Sequence, residues 1–381
     1  MRLWKMEFYK ITARPMLNLG FLLLVGFFLL VFWQEADGTR TEIDGKVYQG
    51  LEAVKKDREL AKEYEGIFTM KKAEEIVERF GFSGYVGNEK EEFRKVREGN
   101  FCSRFVTDKM TDFLQTGERP PGFSKGEAWE NYGKRYVEEN ISFGYTQGWE
   151  SLQKVWYMAM MSLHIWLVLM VAPVFSEEYS RNVTGVLLST TLGKSRGIFR
   201  KIEAAMGFGI LAYVLLCVLL FGITVVIYGG DGLWASAGMN SIFLMFSGRG
   251  NWSIAFFFLL LFLLGMAAVL LNVGITLFVS SKCKGPVSAV TVGVLLYLLP
   301  FGLNQILFDL LLDMGVAGSQ LGWRLMDVIR MFCFSMPMYL SHPDIFYLPL
   351  RWARYIPLIV VGVMIGCILR GYKNYREYEG I

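Results

Sequence analysis

Long apolar blocks alternate with short polar stretches along this chain, and six of the blocks are long enough to cross a bilayer. A hydrocarbon core about 30 Å thick needs roughly 20 mostly apolar residues per helix. Residues 16–33, 155–175, 205–228 and 255–280 meet that demand clearly, and 286–307 forms a fifth run. The sixth has a shorter apolar centre, 356–369, and spans because Arg354 and Arg370 can snorkel to opposite interfaces, which places it near 353–372. The predicted fold is an all-α polytopic membrane protein with six transmembrane helices. A mostly helical domain with minor β structure, 35–152, is inserted after span one (16–34) and ahead of a five-span membrane domain, 153–381.

Outside the spans the periodicity is helical in several places. Trp4, Phe8 and Ile11 recur at helical spacing among Lys5, Lys10 and Arg14, so residues 1–15 read either as a helix lying in the membrane interface or as a basic unstructured start. In the inserted domain, Ile43-Asp44-Gly45-Lys46-Val47 predicts a tight turn between two short extended pieces. Charged helices follow over 51–64 and 70–80, the second capped by Thr69. From 81 to 148 the chain is rich in glycine, aromatic residues and mixed charge, with its firmest break at Pro120-Pro121. Between spans five and six, Leu321, Leu325, Val328, Ile329 and Phe332 form one helical face. The apolar run 241–246 between spans three and four has the same character. Both segments either pack into the membrane surface or cap the helix ends.

Composition agrees with a membrane protein: hydrophobic residues make up 53% and charged residues 19% of 381. The distribution of charge sets the topology. With six spans both termini share a side with 176–204 and 281–285, and these segments hold fourteen Lys and Arg; 229–254 and 308–355 hold five. Cytoplasmic loops retain positive charge, so both termini are predicted to be cytoplasmic. The inserted domain carries 24 Asp and Glu against 19 Lys and Arg, which makes it a net acidic extracytoplasmic domain. The cations sit where anionic lipid and the membrane potential would hold them, so the pI near 8.6 implies membrane lipid as a partner and no nucleic acid.

Candidate chemistry is sparse. The first span could be a cleaved signal peptide, but it is long for one and Trp33-Gln34-Glu35-Ala36 offers no small-x-small cleavage site, so an uncleaved anchor is expected. Cys102, Cys217, Cys283, Cys333 and Cys367 are scattered without CxxC spacing, and only His164 and His342 accompany them, which argues against a metal or haem site. Cys102 and Cys333 alone fall on the outer side, leaving a disulfide between them open. Residues 188–195, LSTTLGKS, end like a phosphate-binding loop but carry Leu188 where that loop needs glycine. The polar residues inside spans are His164, Asn272 and Asn304; only His164 titrates near neutrality, and it reads as an interhelical hydrogen-bonding residue rather than a proton relay.

The connection 176–204 is where an external engine could attach. It is basic, and Val183, Val186 and Leu187 form an apolar stripe at helical spacing. Glu177 and Glu178 stand at its entrance, and Ile198 and Ile202 lead into span three. The plainer alternative is a basic loop that only enforces topology.

Phe175-Ser176-Glu177-Glu178-Tyr179, then Gly185, Leu187-Leu188-Ser189-Thr190, Gly193-Lys194-Ser195-Arg196 and Lys201 resemble the loop after span two in type 2 ABC exporter permeases. The resemblance extends to the basic N-terminal helix, the six-span count, the Tyr- and Arg-rich tail and Asp44-Gly45-Lys46 with Gly50-Leu51-Glu52-Ala53, as in Gram-positive members. It departs at Arg181-Asn182, where Gly185 is displaced from the Gly-Thr that the family often has nearer the acidic pair. It implies a permease subunit of the bacterial inner membrane that forms a translocation path and catalyses no reaction itself. It implies a homo- or heterodimer with a second permease and two copies of a separate ABC ATPase that uses ATP and Mg; no cofactor is implied for this chain. The residues coupling to the ATPase would be Glu177, Glu178, Val183, Val186, Leu187, Arg196 and Lys201, with 183–189 as the coupling helix. The resemblance conveys no substrate. Two other classes compete: a membrane sensor binding a peptide through its outer domain, and a lipid-modifying enzyme. The first lacks a signalling domain in this sequence and the second lacks clustered His, Asp or Ser.

Overall fold

The computed structural model describes residues 2–81, 99–110, 134–190, 192–239, 252–313, 320–347 and 354–378. Six helices are long and apolar enough to cross a membrane: Pro15–Asp37, Gln147–Ser180, Gly193–Tyr228, Ile254–Ser280, Pro286–Leu307 and Ile356–Arg376. The chain is therefore an all-α multi-pass membrane protein, with its six spans where the apolar blocks predict them. The expected break at Pro120-Pro121 and the apolar run 241–246 lie outside the described residues.

The chain divides into two compact units. The first comprises residues 1–27, 156–219 and 260–381. It opens with α1 (Arg2–Thr12), which is helical as the Trp4, Phe8, Ile11 spacing predicts. Phe8 packs against Phe208 with ring centroids 6.1 Å apart, and Ile11 is buried. The first span, α2 (Pro15–Asp37), follows after two residues. The second span, α3 (Gln147–Val171), stops just before Pro173, which cannot donate a backbone hydrogen bond, and the chain resumes as α4 (Pro173–Ser180). After the short α5 (Thr184–Ser189) and a five-residue π turn (Gly193–Gly197) come the spans α6 (Ile198–Tyr228), α7 (Ile254–Ser280), α8 (Pro286–Asp313) and α9 (Ile356–Arg376).

Asn272 and His164 are buried within their spans. Asn272 Nδ2 donates to the His164 carbonyl over 3.1 Å, and His164 Nδ1 lies 2.7 Å from the Met160 carbonyl while its ring stacks on Tyr297. A helix over Gln320–Phe334 carries the predicted face, of which Leu325, Val328 and Phe332 remain exposed within this chain. All five cysteines are free, so no disulfide joins Cys102 and Cys333; both thiols are buried, and Cys333 Sγ is 3.6 Å from the Pro300 carbonyl oxygen.

The second unit comprises residues 28–155 and 220–259. Strands β1 (Arg40–Ile43) and β2 (Lys46–Gln49) pair antiparallel, with Asp44 and Gly45 at φ 50° and 75° forming the predicted two-residue turn. Gly50–Glu63 and Met70–Phe80 are helices, and Thr69 caps the second by accepting from the Lys72 amide. A further helix, Phe101–Met110, brings Phe101 and Phe105 against Phe68 and Phe143. Asp57 organises this core: its Oδ1 accepts from Thr41 Oγ1 (2.6 Å) and the Phe101 amide (3.0 Å), and its Oδ2 from Arg104 (3.0 Å). Burial outweighs those partners and raises the Asp57 pKa above its ordinary value. Asp231 plays the corresponding part after span three, where it pairs with Arg58 and Lys62 while its carbonyl accepts from the Trp149 indole.

Candidate functional site

Among the described residues of the first unit, a densely bonded polar cluster lies beneath the connection between spans two and three. It begins with the proline break. In a helix the carbonyl of residue i accepts from the amide of i+4, so Pro173 leaves the Leu169 carbonyl without its donor. Arg14 supplies the missing hydrogen bonds: Nη1 is 2.8 Å from the Met170 carbonyl and 3.4 Å from that of Leu169. Its Nη2 reaches Glu177 Oε2 at 3.3 Å, and Arg181 holds the other oxygen of Glu177 at 2.5 Å. On the opposite side of the break Ser280 Oγ accepts from the Phe175 and Ser176 amides and donates to the Ala172 carbonyl. The elbow is thus fixed by the N-terminal segment and by span four.

Glu178, on the buried side of α4, is the centre of an ion network. Lys201 Nζ is 2.5 Å from Glu178 Oε1 and 3.1 Å from Glu7 Oε2, and its side chain is only 6% exposed. Lys10 Nζ pairs with Glu7 at 2.9 Å and approaches Glu178 at 3.7 Å. The Tyr375 hydroxyl donates to Glu178 Oε2 from the last turn of α9. Burial works against the charge of Lys10, but its hydrogen bond to Glu7 and the negative charges of Glu7 and Glu178 override this and raise its pKa. Two carboxylates, two ammonium groups and one phenol therefore tie together α1, α4, α6 and α9.

Aromatic rings complete the buttress. Phe175 lies 4.6 Å from Tyr375, and Tyr179 stacks on Tyr378 at 4.5 Å while donating to the Ser281 carbonyl. Tyr372 donates to the Lys194 carbonyl, so the tail of α9 also holds the π turn.

On this base stands α5. Asn182 turns the chain into it with φ 55°, a left-handed conformation that asparagine tolerates and β-branched residues do not. Thr184 and Leu188 are buried, Leu187 is half-buried, and Val183 and Val186 are 39% and 70% exposed. Arg196 is exposed beyond the turn. Gly193 is required where α5 meets the π turn, since a Cβ there would fall 1.8 Å from the Leu187 carbonyl oxygen. The segment that resembles a phosphate loop is thus preceded by a short helix, not a strand. A cavity of about 640 Å³ separates α1 from α4 and α5 and is lined by Lys10, Arg14, Arg181, Glu177, Glu178 and Leu187.

The structure brings together some of the residues that the sequence points to and separates others. Val183, Val186 and Arg196 share the exposed end, whereas Glu178 and Lys201 are buried beneath it and Glu177 lies at its margin. Sequence reasoning missed Glu7, Lys10, Arg14 and Tyr375 as members of the cluster. Two signals could have found them: Glu7 is the lone acid in a basic helix, and Tyr372, Tyr375 and Tyr378 recur at i, i+3 and i+6. Among the described residues no group of three or more His, Cys, Asp and Glu is placed to hold a metal ion. No family model, curated protein or solved structure matches this chain.

Proposed function

We propose that this chain is the permease subunit of an ATP-driven exporter of the type 2 ABC class, lying in the bacterial inner membrane with both termini cytoplasmic and 35–152 outside. One observation carries the reading. A six-residue helix exposes Val186, with Val183 exposed at its N-cap, directly after α4, whose Glu178 is held in a buried ion network that joins α1, α4, α6 and α9. An exposed apolar pair on a short helix is suited to a partner's groove, and a rigid base is what a force-transmitting element requires. The basic residues around it agree with a cytoplasmic location.

In this reading two ATPase subunits, loaded with ATP and Mg, seat on α5 of two permease copies, either identical or paralogous. Their closure pushes α5, and the network formed by Glu178, Lys201, Glu7, Lys10 and Tyr375 passes the displacement to spans two, three and six together. Arg196 and Glu177 flank the contact. The permease itself performs no bond chemistry.

The test is affinity purification from native membranes in mild detergent, followed by an ATPase assay of the eluate. Wild type should retain ATP hydrolysis, and Val183→Asp/Val186→Asp should lose it while remaining folded. A folded wild type that carries no ATPase activity would overturn the proposal.

A further inference from the structure

The connection between spans two and three carries charge of one sign. Residues 179–202 hold five Lys and Arg and no Asp or Glu. Three of those cations are neutralised by acids from outside the segment: Arg181 pairs with Glu177, Arg200 with Glu203, and buried Lys201 with Glu178 and Glu7. Lys194 and Arg196, both exposed on the π turn, make no ion pair or side-chain hydrogen bond among the described residues.

These two cations have a fixed place beside α5. The π turn closes onto that helix, with the Gly193 amide donating to the Thr190 carbonyl and the Gly197 amide to that of Leu192. Tyr372 of α9 holds it as well, its hydroxyl donating to the Lys194 carbonyl. A topology signal needs positive charge on the cytoplasmic side only, at any position in the loop. Backbone pinned at the charged residues points instead to a surface of set shape.

The groups beside the cations narrow the partner. Val183 at the N-cap of α5, Val186 and Leu192 are exposed, and Ser189, Thr190 and Ser195 among them bear hydroxyls. Helices that lie in a bilayer surface carry Trp, Phe or Leu along a broad inserted face. Two valines in and beside a six-residue helix do not supply such a face, but they match the few anchors with which a helix enters a protein groove. We propose that the surface receiving α5 is a protein groove with an apolar floor and an acidic rim, the floor taking Val183 and Val186 and the rim's carboxylates meeting Lys194 and Arg196. The inference rests on the transport reading and names the chemistry that the ATPase presents there. Rim charges act mainly on association and buried anchors on dissociation, so the two halves of the surface are separable.

The experiment places the full chain in lipid nanodiscs and adds back the ATPase that co-purifies with it from native membranes, measuring association and dissociation rates at low and at high NaCl. Salt screens exposed charge, so wild-type association should slow by about tenfold at high NaCl. Lys194→Glu/Arg196→Glu should slow association by about tenfold at low NaCl and remove the salt dependence, with dissociation little changed. Val186→Ser should speed dissociation and keep the salt dependence. Lys46→Glu, at an exposed cation on the β hairpin, is the control and should change neither rate, and melting temperatures check that every variant is folded. Trypsin should cleave after Lys194 and Arg196 in nanodiscs with or without phosphatidylglycerol, and the ATPase should block it. Salt-independent association, wild-type association of Lys194→Glu/Arg196→Glu, wild-type dissociation of Val186→Ser, or protection from trypsin by phosphatidylglycerol without the ATPase would overturn the acidic groove. A wild-type chain with which no ATPase co-purifies would overturn the transport reading, and this inference with it.

Discussion

Lys201 and Glu178, 23 positions apart in the sequence, meet at 2.5 Å beneath the connection between spans two and three. Both side chains are largely withdrawn from solvent, and such a pair is costly to break from one side only. Lys201→Met leaves two carboxylates with one fewer cation, and Glu178→Gln leaves Lys201 dependent on Glu7. Each single change should destabilise the protein by about 3 kcal/mol. The double variant should lose less than the sum. Thermal unfolding in detergent measures all three, and strict additivity would contradict a shared network.

Arg14 should resist conservative replacement. Its fork serves the Met170 and Leu169 carbonyls and Glu177 at once, a geometry that a lysine ammonium does not reproduce. Arg14→Lys and Arg14→Ala should therefore both loosen the Pro173 elbow, each at a cost of about 1–3 kcal/mol. Faster hydrogen exchange at 173–180 is the expected signature. A wild-type exchange pattern in Arg14→Lys would show that charge alone suffices.

Acid should act oppositely through two carboxylates of the second unit. Burial tends to raise the Asp231 pKa, but the hydrogen bond and charge of Arg58, with Lys62, hold it below the ordinary value. Its contribution is present above the unfolded pKa near 3.8 and is lost as pH falls through the lower folded one. Asp57 is raised by burial, so its contribution is full below the unfolded pKa and lost as pH rises through the folded one. Melting curves from pH 2 to pH 7 should show Asp231→Asn removing the acid-side loss and Asp57→Asn removing the decline on the other side. No change in either slope would contradict the assignment.

The thiols report on topology. Cys283 is partly exposed in the short turn after span four, and Cys102 is fully buried, where burial also raises its pKa well above the ordinary thiol value. An impermeant maleimide should label neither in intact cells. Opening the membrane should expose Cys283, and Cys102 should react only after denaturation. Labelling of Cys283 in intact cells would reverse the proposed orientation.

Much of the fold was legible because its determinants are local. Six apolar blocks give six spans, the Asp44-Gly45 turn pairs two strands, and the helix from Met70 to Phe80 has the predicted ends and cap. The cluster under α5 was only half legible, since its bonds join distant positions: Lys201 to Glu7 across 194 residues and Tyr375 to Glu178 across 197. Charged residues read by periodicity are assigned to water, and nothing in the local pattern around Glu178 or Lys201 reports the opposite charge that lets them be buried. The start of α5, which the departure at Arg181-Asn182 left open, is set by Asn182, whose left-handed backbone turns the chain into the helix.

The central claim is that α5 is the seat of an ATPase, and a cross-link from its exposed tip tests this most directly. Val186→Cys, introduced into a chain whose five native cysteines are replaced by serine, is treated in native membranes with a short bifunctional thiol–amine reagent. Val47→Cys on the β hairpin, also exposed, serves as the control. The account predicts that Val186→Cys alone yields an adduct with a soluble polypeptide that hydrolyses ATP. Purified without that polypeptide, the chain should show no hydrolysis. An adduct from Val47→Cys but none from Val186→Cys, or ATP hydrolysis by the purified chain alone, would contradict it.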